Sequence, residues 1–181
     1  MPRLRPLEWP RDEASLAGFD LAVTTGTVHA VVQAGLGTLT LALEQRAVDP
    51  PLVKRYAVDW SELPVASHVR VAEENGVAVG VVALTWREWN RRAELTHLYV
   101  DVGARGRGVG AALLADAGAV AEGWGARCLW VETQQVNAPA VRFYRRHGFV
   151  WCGADLTLYD PREAPGEVAL FFALPLGVGV G

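Results

Sequence analysis

Cysteine is scarce in this 181-residue chain: Cys128 and Cys152 are the only two, each in an apolar stretch. That argues against both a disulfide framework and a zinc site. No apolar run reaches the ~18 residues of a membrane span, and the opening MPRLRPLEWPRDEA lacks the apolar centre of a signal peptide. Basic clusters are also missing. Seventeen Lys and Arg are spread along the chain against 20 Asp and Glu, and a pI near 5.8 leaves no footprint for nucleic acid. The four histidines (29, 68, 97 and 147) lack metal-ligand spacing, so no metal is expected. What is present is apolar: 51% of residues, with mean hydropathy +0.15 and a net charge of −3, which excludes intrinsic disorder. The length suits one domain with a short extension. A soluble, cytoplasmic globular protein is the expectation.

Residues 1–18, rich in proline and charge, read as an N-terminal extension or poorly ordered arm ahead of a domain over 19–175. FDLAV, VHAVV and TLTLALE read as short strands, with a helix open wherever the alternation breaks. Pro50-Pro51 should stop whatever precedes it, leaving PLVKRYAVDW as a short helix or an irregular lid. VRVAEE, Asn75-Gly76 and VAVGVVALTW spell strand, two-residue type I′ turn and strand. AELTHLYVDV is a third strand. Past the glycines of ARGRGVG, residues Val109, Leu113, Leu114, Ala117, Val120 and Ala121 fall near one helical stripe. RCLWVET is a buried-looking strand. Asn137 is placed to cap APAVRFYRRH, with Gly148 at its C′ position. Strands around Val150–Tyr159 and Val168–Leu174 follow, and 176–181 should be a flexible tail. The order implies an α/β, mixed-sheet fold covered by helices.

Arg105-Gly106-Arg107-Gly108-Val109-Gly110 lies between a strand and a helix. Glycine allows close approach of a ligand to the backbone, and the first N–H groups of a helix favour an anion. Arg105 and Arg107 add positive charge, and a diphosphate suits the arrangement. A glycine turn without ligand is one reading. A dinucleotide fold is another, but the final glycine of its pattern is missing, and several antiparallel strands precede the loop.

The third reading is a resemblance. Arg105, Gly108 and Gly110 match the Arg/Gln-x-x-Gly-x-Gly/Ala coenzyme A loop of the GCN5-related N-acetyltransferase (GNAT) superfamily. NAPAVRFYRRHGF, Asn137 to Phe149, resembles its companion motif at the expected distance. Trp89-Asn90-Arg91, Glu132-Thr133-Gln134, Asp155 before Leu158-Tyr159, and Glu167 before Ala169 are similar to streptothricin acetyltransferases and their near relatives, over roughly residues 86–174. One departure stands out. Those relatives usually carry Glu-Asp in the strand before the glycine loop, where this chain has Thr96-His97.

The resemblance implies the GNAT fold, a mostly antiparallel sheet of about seven strands with one splayed parallel pair. It also implies transfer of an acetyl group from acetyl-CoA to a primary amine of a small polycationic acceptor. The alternatives are a protein N-terminus or lysine as acceptor, or a non-catalytic acyl-CoA-binding module. The implied cofactor contacts are Leu98, Tyr99, Val100, Arg105, Gly106, Arg107, Gly108, Val109, Gly110, Ala111, Asn137, Ala140 and Phe143. Glu94 is the first candidate base, on a strand face shared with Thr96 and Leu98. Glu132 is the second, as base or ammonium anchor, and Tyr144 would protonate the departing thiolate. Trp89, Glu132, Asp155 and Glu167 are the implied acceptor contacts, with Asp59 and Glu62 as further carboxylates. Neither nucleic acid nor membrane is an expected partner, and a homodimer is left open.

Overall fold

Asn75 and Gly76 take φ of 51° and 81°, the pair of left-handed residues that a type I′ turn requires, and Glu74 lies opposite Val77 across it. This hairpin sits centrally in the computed structural model, which describes residues 2–34 and 40–177. In chain order the elements are β1 (Arg3–Pro6), α1 (Glu13–Ala17), β2 (Val23–Ala34), β3 (Thr40–Lys54), β4 (His68–Glu74), β5 (Val77–Arg87), β6 (Arg92–Val100), α2 (Val109–Gly123), β7 (Cys128–Gln134), α3 (Ala138–Arg146), β8 (Val150–Asp155) and β9 (Ala169–Pro175). Seven strands form one mostly antiparallel sheet in the order β1-β4-β5-β6-β7-β9-β8, with β6 and β7 parallel, while β2 and β3 form a separate ribbon. This is the mixed α/β architecture expected from the sequence.

The chain divides into two compact units, and the division falls within β7. The first combines residues 1–21, 56–131 and 174–181. Its core gathers Leu16, Leu63, Val71, Val81 and Ala83 around Trp60. α2 buries Val109, Leu113, Leu114, Ala117 and Ala121, as its periodicity predicts, and leaves Val120 half-buried. It packs tightly on β5: a Cβ at Gly80 would lie 3.0 Å from both Leu113 and Val109. The Leu176 N–H donates to the Arg127 carbonyl at 3.0 Å, joining the last described residues to this unit.

Residues 2–18 are ordered against the sheet, which corrects the reading of residues 1–18 as an extension or poorly ordered arm. β1 pairs antiparallel with β4, Arg3 opposite Glu73 and Pro6 opposite Arg70, and Leu16 of α1 is buried. The ordering residue is Arg5, 8% exposed. Its guanidinium forks onto Asp12 through two bonds of 2.7 Å and reaches Glu73 at 2.6 Å. A charged residue inside a proline-rich segment gives no apolar pattern to read. The flexible tail expected over 176–181 is corrected at its start, where Leu176 is buried and bonded to Arg127; residues 178–181 lie outside the described residues.

The second unit holds residues 22–55 and 132–173. Its ribbon corrects a second expectation, because β3 runs through Pro50-Pro51 instead of stopping there. The β2–β3 register jumps from Thr27 opposite Ala47 to Thr25 opposite Leu52, so the prolines fall in the extra residues of a bulge, where no ladder N–H is needed. Residues 50–54 are therefore strand, and the helical turn comes later, over Trp60–Val65. α3 begins at Asn137, whose side chain accepts from Ala140 N–H at 3.1 Å, and Gly148 beyond its end takes φ of 87°. The strand expected over Val150–Tyr159 ends at Asp155, whose carboxylate accepts from Thr157 N–H and Oγ1 at 2.7 and 2.8 Å and turns the chain.

Candidate active site

In the first unit the site residues lie along β6 and the loop after it. β6 pairs with β7 only from Arg92–Cys128 to Glu94–Trp130, so its edge beyond Glu94 is without that partner. On the other edge, Asp101 N–H donates to Val79 of β5 at 3.0 Å. Main-chain groups alternate along a strand, so Val100 and Leu98 turn their N–H groups to the edge that β7 leaves, while that of Tyr99 faces β5. Arg105 Nε donates to the Val100 carbonyl at 3.0 Å.

The middle of β6 is irregular. Leu95 lies opposite Leu84 and His97 opposite Ala83, so Thr96 is one residue too many and the strand bulges there. The bulge interrupts the simple alternation expected to place Glu94, Thr96 and Leu98 on one face. Thr96 Oγ1 donates to the Ala83 carbonyl at 3.3 Å and lies 3.1 Å from His97 Nδ1. His97 is buried among Trp60 and Tyr99. Burial lowers its pKa below the ordinary imidazole value, against the opposing pull of Glu62 and Asp59. Glu94 is half-buried and bound to Arg87 of β5 at 2.5 Å, a partner that strand alternation alone does not reveal.

The loop itself is built for close approach. Asp101 accepts from Gly103 N–H at 2.8 Å and from Asp20 N–H at 2.9 Å, fixing the exit of β6. Gly106 and Gly108 take φ of 76° and 84°, and a Cβ on either would meet nothing within 4 Å. The first helical N–H to bond back is that of Ala112, to Gly108 at 3.0 Å, so Val109, Gly110 and Ala111 point theirs out of the α2 end. Arg105 and Arg107 flank them, Arg107 3.0 Å from Glu74.

Trp89 does not belong to this neighbourhood. It is 86% exposed in the turn between β5 and β6. That turn is at the opposite end of β6 from the glycine loop, roughly 25–30 Å away at strand spacing. Asp59 caps the Trp60–Val65 turn through Ser61 N–H at 2.9 Å, and Glu62 is exposed beside it.

In the second unit Glu132 of β7 is half-buried and accepts a hydrogen bond from the Tyr159 hydroxyl at Oε1. Burial raises its pKa above the usual carboxylate range, and the Tyr159 bond opposes that rise. Tyr159 enters the sequence reading only through the Leu158-Tyr159 resemblance, with no role assigned, and the fold supplies its partner. Tyr144 is 7% exposed, its ring 5.3 Å from Phe149, 5.5 Å from Phe143 and 6.4 Å from Phe172. It shares the buried side of α3 with Ala138 and Val141, while Ala140 and Phe143 are half-buried. Glu167 is held by Lys54 Nζ at 2.5 Å, and Asp155 is engaged in its own turn, so neither carboxylate stands unoccupied. His29 of β2 is buried, donates its main-chain N–H to Gln135 at 2.9 Å, and has a lowered pKa from burial and from Arg145 and Arg142.

Comparisons with known proteins bear on the family and the fold. A sequence model described as Acetyltransferase (GNAT) family matches residues 38–149. The chain is 35% identical over 176 residues to a streptothricin acetyltransferase of Streptomyces lavendulae, covering 92% of this chain and 91% of that one. It superposes on a crystal structure of nourseothricin acetyltransferase with TM-score 0.85 and 37% identity, covering 96% and 98% of the two chains. A provisionally named streptothricin acetyltransferase of Bacillus anthracis strain Ames, solved in complex with acetyl coenzyme A, shares the fold at TM-score 0.80 and 24% identity, covering 97% and 99%.

Proposed function

The chain belongs to the acetyltransferase (GNAT) family, and we propose that it carries an acetyl group from acetyl-CoA to a primary amine of a small polycationic acceptor of the streptothricin class. It is an acetyl-CoA-dependent N-acetyltransferase. The observation that carries the reading is the end of β6, where a strand edge released by β7 runs into a glycine loop with outward main-chain donors. The antibiotic-acetylating relatives support the acceptor class. Cytoplasmic action is part of the proposal; Cys128 and Cys152 form no disulfide, as suits a reducing compartment.

The loop fits the diphosphate of acetyl-CoA. Space at the Cβ positions of Gly106 and Gly108 lets an anion approach the backbone, and the N–H groups of Val109 to Ala111 with the charges of Arg105 and Arg107 would hold it. When bound, acetyl-CoA supplies the thioester acetyl that the amine takes. Leu98 and Val100 would donate main-chain N–H to its carbonyl oxygen, and Asn137, besides capping α3, would bond the pantetheine arm. A lysine-like amine with pKa ~10.4 needs about 4.6 kcal/mol to be neutral at pH 7. Glu132, with its raised pKa, is therefore assigned to draw in the ammonium and take its proton, with Glu94 secondary because Arg87 already claims it. Tyr144 is assigned to return a proton to the leaving thiolate. A phenol near pKa ~10 can do so only as charge builds on a thiol near ~8.5.

Incubating the chain with acetyl-CoA and following thiol release should show turnover with streptothricin and little with peptides bearing free N-termini. The reverse preference would overturn the acceptor, and absence of acetyl-CoA binding by calorimetry would overturn the whole reading. Tyr144→Phe should lower kcat about tenfold to a hundredfold, at or below the low end of general-acid effects, with acetyl-CoA affinity unchanged. Gly108→Val should weaken acetyl-CoA binding by calorimetry. Regaining the left-handed conformation from a relaxed loop costs ~1–2 kcal/mol, which alone corresponds to roughly five- to thirtyfold, and the side chain would stand in the space offered to the anion.

A further inference from the structure

We propose that β3 is the dimerisation edge of this protein, pairing antiparallel with β3 of a second copy about a two-fold axis at Gln45. Among the described residues β3 has one strand neighbour, β2, and Glu44 to Ala47 are exposed. Which main-chain groups face outward follows from two bonds on β2. His29 N–H goes to Gln135 and Thr27 N–H to Thr25 Oγ1, so both turn away from β3. Their partners across the ribbon, Gln45 and Ala47, must then point their own N–H and C=O groups away from β2, and Leu43 opposite Val31 continues the alternation. The open edge therefore presents complete donor–acceptor sets at Leu43, Gln45 and Ala47.

An axis at Gln45 uses all of them. Gln45 meets its own copy, and Leu43 meets Ala47 on each side, each as a pair exchanging two main-chain bonds. The residues between them then oppose one another: Glu44 faces Arg46 of the second copy, twice. Within one chain these two already attract, at 3.3 Å on the same strand face, and both keep more than half of their side-chain surface exposed. In a copy shifted by one residue, Glu44 would face Gln45 and the charge match would be lost. Slippage toward the C-terminus meets Pro50 and Pro51, which have no N–H to offer. An open edge with opposite charges two residues apart repels most strands and fits its own reversed copy.

Sedimentation of the full chain tests this. Wild type should run as a dimer at about 100 μM, a concentration at which even a weak edge contact is populated. Glu44→Arg and Arg46→Glu should each run as single chains while keeping acetyl-CoA turnover, which reports an intact fold. The double exchange Glu44→Arg/Arg46→Glu restores both cross-pairs and should regain the dimer. A single-chain wild type, a dimer indifferent to both single changes, or a double variant that stays single would each overturn the assignment.

Discussion

Replacing Arg5 with Met is expected to cost about 3–5 kcal/mol of stability, the range seen when one member of a buried ion pair is removed. The change leaves Asp12, 3% exposed, as a carboxylate without its cation, and releases Glu73 as well. For a chain of this size the melting temperature should fall by roughly 6–20 °C, read by calorimetry or circular dichroism. Exchanging Arg5 and Asp12 together for Met and Leu should recover part of the loss, because an apolar pair avoids the desolvation that the lone carboxylate suffers. Acid should have a related effect in wild type. The Arg5 bond, above all, holds the Asp12 pKa below the ordinary value. That contribution is present above the unfolded pKa and disappears as pH falls through the folded one. A melting temperature unchanged in Arg5→Met would mean that β1 adds nothing to the sheet.

Glu132→Gln should act in the opposite sense on stability and far more severely on turnover. Without the carboxylate, kcat/KM should drop by ~10²–10⁴, the usual contribution of a general base. The wild-type rate should rise with pH through a folded pKa above the ordinary carboxylate value, because Glu132 has to be ionised to accept a proton. Stability has the reverse dependence. A carboxyl whose pKa is raised by folding favours the fold below its unfolded pKa, and that contribution is lost as pH rises through the folded value. Glutamine, which resembles the protonated form and can still accept from Tyr159, should therefore match wild type in acid and equal or exceed it at neutral pH. An inactive variant with an undiminished melting temperature is the expected pair of results. A variant that keeps its rate would remove Glu132 from the chemistry.

Local signals were read correctly where a residue acts on its own backbone. Asn75-Gly76 turned the hairpin, Asn137 capped α3, and the stripe from Val109 to Ala121 chose the buried side of α2. The readings that failed depend on partners distant in sequence. Arg5 becomes interior only through Asp12 and Glu73, and Pro50-Pro51 are tolerated only because the β2–β3 register skips past them. Glu94 and Glu132 looked alike as strand carboxylates. One meets a cation and the other a phenol, and only the fold distinguishes them.

The first unit takes its residues from both ends of the chain as well as its middle, and Leu176 closes it against Arg127. On the ribosome, β1 therefore emerges long before the residues that complete its unit. At about 5–20 residues per second, roughly ten to thirty seconds separate the two. For that time the nascent chain carries an unfinished core in this unit, open to chaperone capture or proteolysis during synthesis.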